Sequence, residues 1–140
     1  MISFQPTVDL ASSAEITFEN MRSYYEHYAV DWELSKIQEQ IAGLENWDVL
    51  YNGILVGAIR LAYDHDGGYL RDLQVSELYR NQGIGAIALG EAESLVKRAG
   101  VEQLRLRVFK ISPAYHLYKR MGFVEYSEEE RFYYMSKKIS

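Results

Sequence analysis

The sequence predicts an α+β fold, and three observations carry that prediction. Alternating apolar runs between Trp47 and Tyr63 are joined by the tight-turn dipeptide Asn52-Gly53. A glycine-bearing loop at residues 80–85 then opens a segment whose apolar residues recur at helical spacing. A further alternating run, a short helix and a closing pair of strands follow it, so strands and helices are mixed rather than strictly alternating. The chain has 140 residues, 48% of them hydrophobic, which suits one domain over 1–140 with its own core.

Taken in order, Ile2 to Gln5 reads as a first strand, and Ser12 or Ser13 as the cap of a helix running through Ile16, Met21 and Tyr24 to about Tyr28. Leu34, Ile37 and Ile41 mark a second helix, from about Glu33 to Ala42, that stops at Gly43. Trp47 to Tyr51 and Ile54 to Tyr63 form a hairpin, residues 64–68 form a second turn, and Tyr69 to Val75 form the next strand. From Gly83 to Ala99 the residues Ile84, Ile87, Ala88, Ala92, Leu95 and Val96 define a helical face, with Lys97 and Arg98 suited to the negative end of the dipole. Leu104, Leu106 and Val108 alternate with Arg105 and Arg107 as in a strand with one wetter face. Ser112-Pro113 opens a helix in cap-then-first-turn order, and Gly122 ends it. Phe123 to Tyr126 and Arg131 to Met135 are the last strands, around an acidic turn at 127–130.

Composition excludes several classes of function. With 15 Lys and Arg against 20 Asp and Glu the net charge is −5, so no nucleic acid partner is expected. The absence of cysteine excludes disulfides, thiolate nucleophiles and zinc-thiolate sites. His27, His65 and His116 lack ligand-like spacing, so no metal is expected. The N-terminus lacks the pattern of a signal peptide and no segment has the length of a membrane span, which points to a cytoplasmic protein without a membrane partner.

The loop Arg80-Asn81-Gln82-Gly83-Ile84-Gly85 is the most informative segment. Glycines at 83 and 85 let backbone N–H groups converge on an anion at the positive end of the following helix, and Arg80 adds a charge beside it. A P-loop requires Lys-Ser or Lys-Thr after the last glycine, where this chain has Ala86-Ile87. Gly83, Gly85 and Ala88 satisfy the dinucleotide-fold spacing, but residues 76–79 separate the loop from its strand and a meander precedes it.

Two motifs together resemble the GNAT superfamily of N-acetyltransferases. Val75 to Gly85 is similar to that family's strand, loop and pyrophosphate cradle. Ser112-Pro113-Ala114-Tyr115-His116-Leu117-Tyr118-Lys119-Arg120-Met121-Gly122-Phe123 is similar to its second cofactor segment. The resemblance implies a layered α/β/α arrangement around a mixed, mostly antiparallel sheet of roughly six to seven strands with about four helices, strands 4 and 5 splaying apart. It implies acetyl-CoA as donor, held by Arg80, Asn81, Gln82, Gly83, Ile84, Gly85 and Ala86, by the backbone at Leu73 and Val75, and by Ser112 and Tyr115. Ser112 stands where the family often has Asn.

Tyr118 matches the family tyrosine that protonates the departing thiolate, and Asp72 is a candidate general base, with Tyr69 or ordered water as the alternatives. Where polyamine acetyltransferases of this superfamily carry Glu-Asp, this chain has Arg71-Asp72. That charge reversal disfavours polyamines and gives Arg71 the means to pair with a carboxylate on the acceptor. Tyr28 and Trp32 fall where the family's first two helices wall the acceptor pocket. The expected function is therefore acetyl transfer to a primary amine of a small molecule or peptide by direct attack, with a homodimer possible. The alternative is a non-catalytic acyl-CoA-binding module.

Overall fold

The computed structural model describes residues 1–139. Its elements run β1 (Ile2–Pro6), α1 (Leu10–His27), α2 (Leu34–Ile41), β2 (Glu45–Tyr51), β3 (Ile54–Asp64), β4 (Gly67–Val75), a 3₁₀ turn (Glu77–Tyr79), α3 (Ile84–Arg98), β5 (Gln103–Phe109), α4 (Ala114–Arg120), β6 (Val124–Glu128) and β7 (Phe132–Lys138). The strands hydrogen-bond in the order β1-β2-β3-β4-β5-β7-β6. The β1–β2, β5–β7 and β6–β7 pairs are antiparallel and β4–β5 is parallel, which makes the sheet mixed as expected. The parallel ladder comprises Gly68–Leu104, Tyr69–Arg105 and Leu70–Leu106, although β4 continues to Val75 and β5 to Phe109.

The chain divides into two compact units, one made of Met1–Arg60 with Asp72–Gly85, the other of Leu61–Arg71 with the chain from Ala86 onward. In the first, α1 and α2 close over Ala14, Ile37 and Ile41, with Phe18, Tyr25, Trp32 and Leu44 packed around them. In the second, Leu70, Leu104, Leu106 and Met135 are buried on one face of the strands. Helix α3 lies on that face: a Cβ at Gly68 would sit 3.2 Å from both methyl groups of Val96. Helix α4 joins it there, the Tyr115 ring meeting that of Tyr133 at 4.8 Å.

Strand β2 begins two residues earlier than expected and β7 runs on to Lys138; three further differences have a physical reason. Helix α1 is capped by Asp9 rather than Ser12 or Ser13: its carboxylate accepts from the N–H groups of Ala11 (3.1 Å) and Ser12 (3.4 Å), and Ser12 Oγ donates to it at 2.8 Å. These bonds, the Ser12 hydroxyl's first, hold the Asp9 carboxyl below its usual range. Gly67 and Gly68 belong to β4 rather than to the preceding turn, because the glycine at 68 admits α3 instead of bending the chain. Strand β6 continues through Ser127 and Glu128, with a register shift between Glu125 and Ser127. Its polar residues are those of an exposed edge strand, which charge and irregularity protect from pairing with other chains.

Candidate active site

In the first unit, β4 ends at Val75 and the chain enters the loop through a set of local bonds. Ser76 N–H donates to Val56 O at 2.7 Å, and Asn20 of α1 donates from Nδ2 to Gln74 Oε1 and to Val75 O, both at 3.0 Å. Arg80 folds back so that its Nε donates to Val75 O at 3.1 Å, which fastens the loop at its root. Asn81 and Gly83 then take left-handed backbone angles, φ 62° and 78°, and Ile84, 2% exposed, buries the start of α3. A Cβ at Gly83 would meet nothing within 4 Å, so the cradle opens outward. The first turn of α3 carries no acidic side chain, and its N–H groups are the orphan donors of any helix start. A loop of this kind fits a phosphate group.

Asp72 faces a different demand. Its Oδ2 accepts from Arg60 Nη1 at 3.2 Å, and the Arg60 side chain is fully buried. The same guanidinium donates from Nε to Asn46 Oδ1 (3.0 Å), from Nη1 to Thr17 Oγ1 (2.6 Å), and from Nη2 to Ser13 O (2.8 Å) and Oγ (2.7 Å). Asp72 is thus the carboxylate that compensates a buried cation. Leu73 and Val75 are half-buried. Trp32 stacks on Tyr25 at 5.5 Å within the α1–α2 core, and Tyr28 forms the C-terminal cap of α1 with its ring edge-on to His27.

In the second unit, Ser112 Oγ accepts from Ala114 N–H at 3.2 Å, but the N-cap of α4 is Pro113 rather than Ser112, one residue later than the sequence order predicts. The Tyr115 hydroxyl donates to the Glu125 carboxylate, and that bond pushes its phenol up to about 12. Tyr118 is 6% exposed, its ring T-shaped against Phe123 at 5.8 Å, and its carbonyl accepts from Phe123 N–H at 3.0 Å around Gly122. Arg71 is exposed and Tyr69 half-buried; burial raises the Tyr69 phenol, while the nearby charges of Arg107 and Arg71 pull it the other way.

The residues Arg80 to Gly85 form one continuous turn into the start of α3, and Ser112, Tyr115 and Tyr118 lie on and beside α4. Sequence reasoning missed Arg60, the buried partner of Asp72. The signal for Arg60 was a lone charge inside the apolar run from Leu55 to Leu61.

A family model for the acetyltransferase (GNAT) family matches residues 10–123. The chain belongs to that family. The GNAT fold is also that of PaiA N-acetyltransferase from Thermoplasma acidophilum in complex with coenzyme A, with a TM-score of 0.76 at 21% identity over 99% of each chain. The ribosomal-protein-S18-alanine N-acetyltransferase of Escherichia coli superposes with a TM-score of 0.77 at 20% identity, over 100% of this chain and 95% of that one. A curated relative, uncharacterized N-acetyltransferase CT2212 of Chlorobaculum tepidum, is 33% identical over 80 residues, 56% of this chain and 49% of its own. The matched stretch therefore spans about half the length of that relative. No helix among the described residues of this GNAT chain is long and apolar enough to cross a membrane.

Proposed function

We propose that this chain transfers the acetyl group of acetyl-CoA to a primary amine of a small molecule or peptide, in the cytoplasm. The observation that carries this reading is the cradle at Arg80–Gly85, with two left-handed residues, an outward opening at Gly83 and a helix start free of acidic side chains. Its N–H groups and the Arg80 charge suit the pyrophosphate, and the backbone at Leu73 and Val75 suits the pantetheine arm. Ser112 and Tyr115 are assigned to the second cofactor segment on the family resemblance. When bound, acetyl-CoA supplies the electrophilic thioester carbonyl and the thiolate that departs.

The acceptor nitrogen forms the new C–N bond as the C–S bond breaks. With no cysteine in the chain to carry the acetyl group, attack is direct. Tyr118 delivers its phenolic proton to the departing sulfur. The proton lost by the amine passes to water near Asp72, whose ion pair with Arg60 holds its carboxylate in place. Tyr28 and Trp32 contribute to the acceptor side through the aromatic packing of α1 and α2.

Gly83→Glu tests the reading: it puts bulk and negative charge into the cradle. Stabilisation of the folded protein by acetyl-CoA, followed as a rise in Tm, should disappear while the far-UV spectrum is unchanged. Normal affinity in that variant would sink the assignment of the loop. A second reading, a non-catalytic acyl-CoA-binding module, draws support from the commitment of Asp72 to Arg60. Such a module would be stabilised by acetyl-CoA but release no CoA with any amine.

A further inference from the structure

Helix α1 presents a polar stripe to the end of β4. Ser13, Thr17 and Asn20 recur at spacings of four and three residues, so they share one face of the helix. The first two bond the Arg60 guanidinium that pairs with Asp72. Asn20 bonds the next residues of the strand itself, its Nδ2 donating to Gln74 Oε1 and to Val75 O, both at 3.0 Å. Strand β3 holds the same stretch. A Cβ at Gly57 would stand 2.2 Å from Gln74 O, so only glycine permits that approach, and Val56 O accepts from Ser76 N–H at 2.7 Å.

These bonds converge on one peptide group. The C=O of Val75 and the N–H of Ser76 lie in the same plane. The N–H is bound to Val56, and the carbonyl, which has two lone pairs, accepts both from Asn20 and from Arg80 Nε at 3.1 Å. Asn20 and Arg80 thus share an acceptor, and they line one cleft with Ser76 and Glu77. With Nε spent on Val75, the exposed end of the Arg80 guanidinium carries the two terminal amino groups that can meet an anion. Without the Asn20 bond the carbonyl would be held by an exposed arginine alone, in exchange with water, and the peptide plane and the guanidinium would rock together.

We propose that Asn20 is a positioning residue for the cofactor: it fixes the Val75–Ser76 peptide group so that Arg80 is aimed at the pyrophosphate of CoA. Asn20 acts through the Val75 carbonyl rather than by contact with the cofactor. The proposal deepens the acetyltransferase reading and rests on it for the identity of the anion.

Calorimetry with CoA on the intact protein, well below its Tm, tests this as a double-substitution cycle. Asn20→Leu should weaken CoA binding about fivefold, the worth of one hydrogen bond. In an Arg80→Met background the same change should alter affinity by less than about twofold, because the side chain that Asn20 aims is gone. Asn20→Asp keeps the size of the side chain but turns an acceptor toward the Val75 oxygen and a negative charge toward Arg80, so it should weaken binding more than Asn20→Leu. A purely structural role lowers Tm in these variants and leaves CoA affinity as it was. That result, or an equal loss in both backgrounds, overturns the inference, while CoA binding by the unsubstituted protein keeps the cradle. Failure of the unsubstituted protein to bind CoA overturns the cradle assignment and this inference with it.

Discussion

Tyr118 and Tyr115 are three residues apart on α4, yet their surroundings give them different chemistry. Tyr118 is nearly buried against Phe123 and is the phenol assigned to the leaving thiolate. Tyr118→Phe should lower kcat by about a hundredfold or more while leaving KM for acetyl-CoA almost unchanged, since general acids contribute on that scale. Steady-state kinetics decide it: unchanged turnover removes Tyr118 from the chemistry. The Tyr115 hydroxyl is committed to Glu125, which raises its pKa from 10 to about 12. A raised folded-state value means that the bond helps the fold fully below pH 10 and ceases to help as pH climbs through about 12. Because the pair is exposed, the contribution is small and the titration is the better observable. Glu125→Gln should return the Tyr115 resonance to ordinary tyrosine behaviour in an NMR titration. A midpoint unchanged by that substitution would mean that another group holds the phenol.

The elements whose signals are local were legible from the sequence. Apolar spacing located both the helices and the strands, and the cradle stood out because left-handed backbone at residue 83 calls for glycine. The segment from Ser112 to Gly122 was readable for the same reason: its helix and terminating glycine are contiguous, although the N-cap falls on Pro113 rather than Ser112. What could not be read are facts about neighbours. Gly68 looks like a turn residue until Val96 is seen against it. Asp9 and Ser12 compete for the same helix start, and the carboxylate prevails because it accepts from two backbone N–H groups while the serine becomes a donor to it. Arg71 was visible as a charge reversal, whereas the seat of Arg107 over the Phe132 ring requires the β5–β7 pairing. A single strand's alternation gives a face but says nothing of who stands beside it.

For the molecule as a whole, the most consequential side chain is Arg60. Its five hydrogen bonds reach α1, β2 and β4, and they account for every N–H its guanidinium has. Arg60→Met leaves Ser13, Thr17, Asn46 and Asp72 without their donor, and Asp72→Asn leaves the buried cation without its counter-charge. Each should cost about 3–5 kcal/mol, a large share of a typical domain's stability. The double substitution should cost less than the sum, because the second change removes a charge that the first had stranded. Chemical denaturation measures all three; single losses below about 1 kcal/mol would show that the network contributes little. The network also has a bearing on how the chain finds its fold. Were β3 to slip by one residue against its neighbours, Ile59 or Leu61 would meet the oxygens of Ser13, Thr17 and Asn46, and Arg60 would be thrust into the apolar side. Only one threading of this strand satisfies all of these groups, so a residue that takes no part in the proposed chemistry serves as the index mark by which misaligned sheets are rejected.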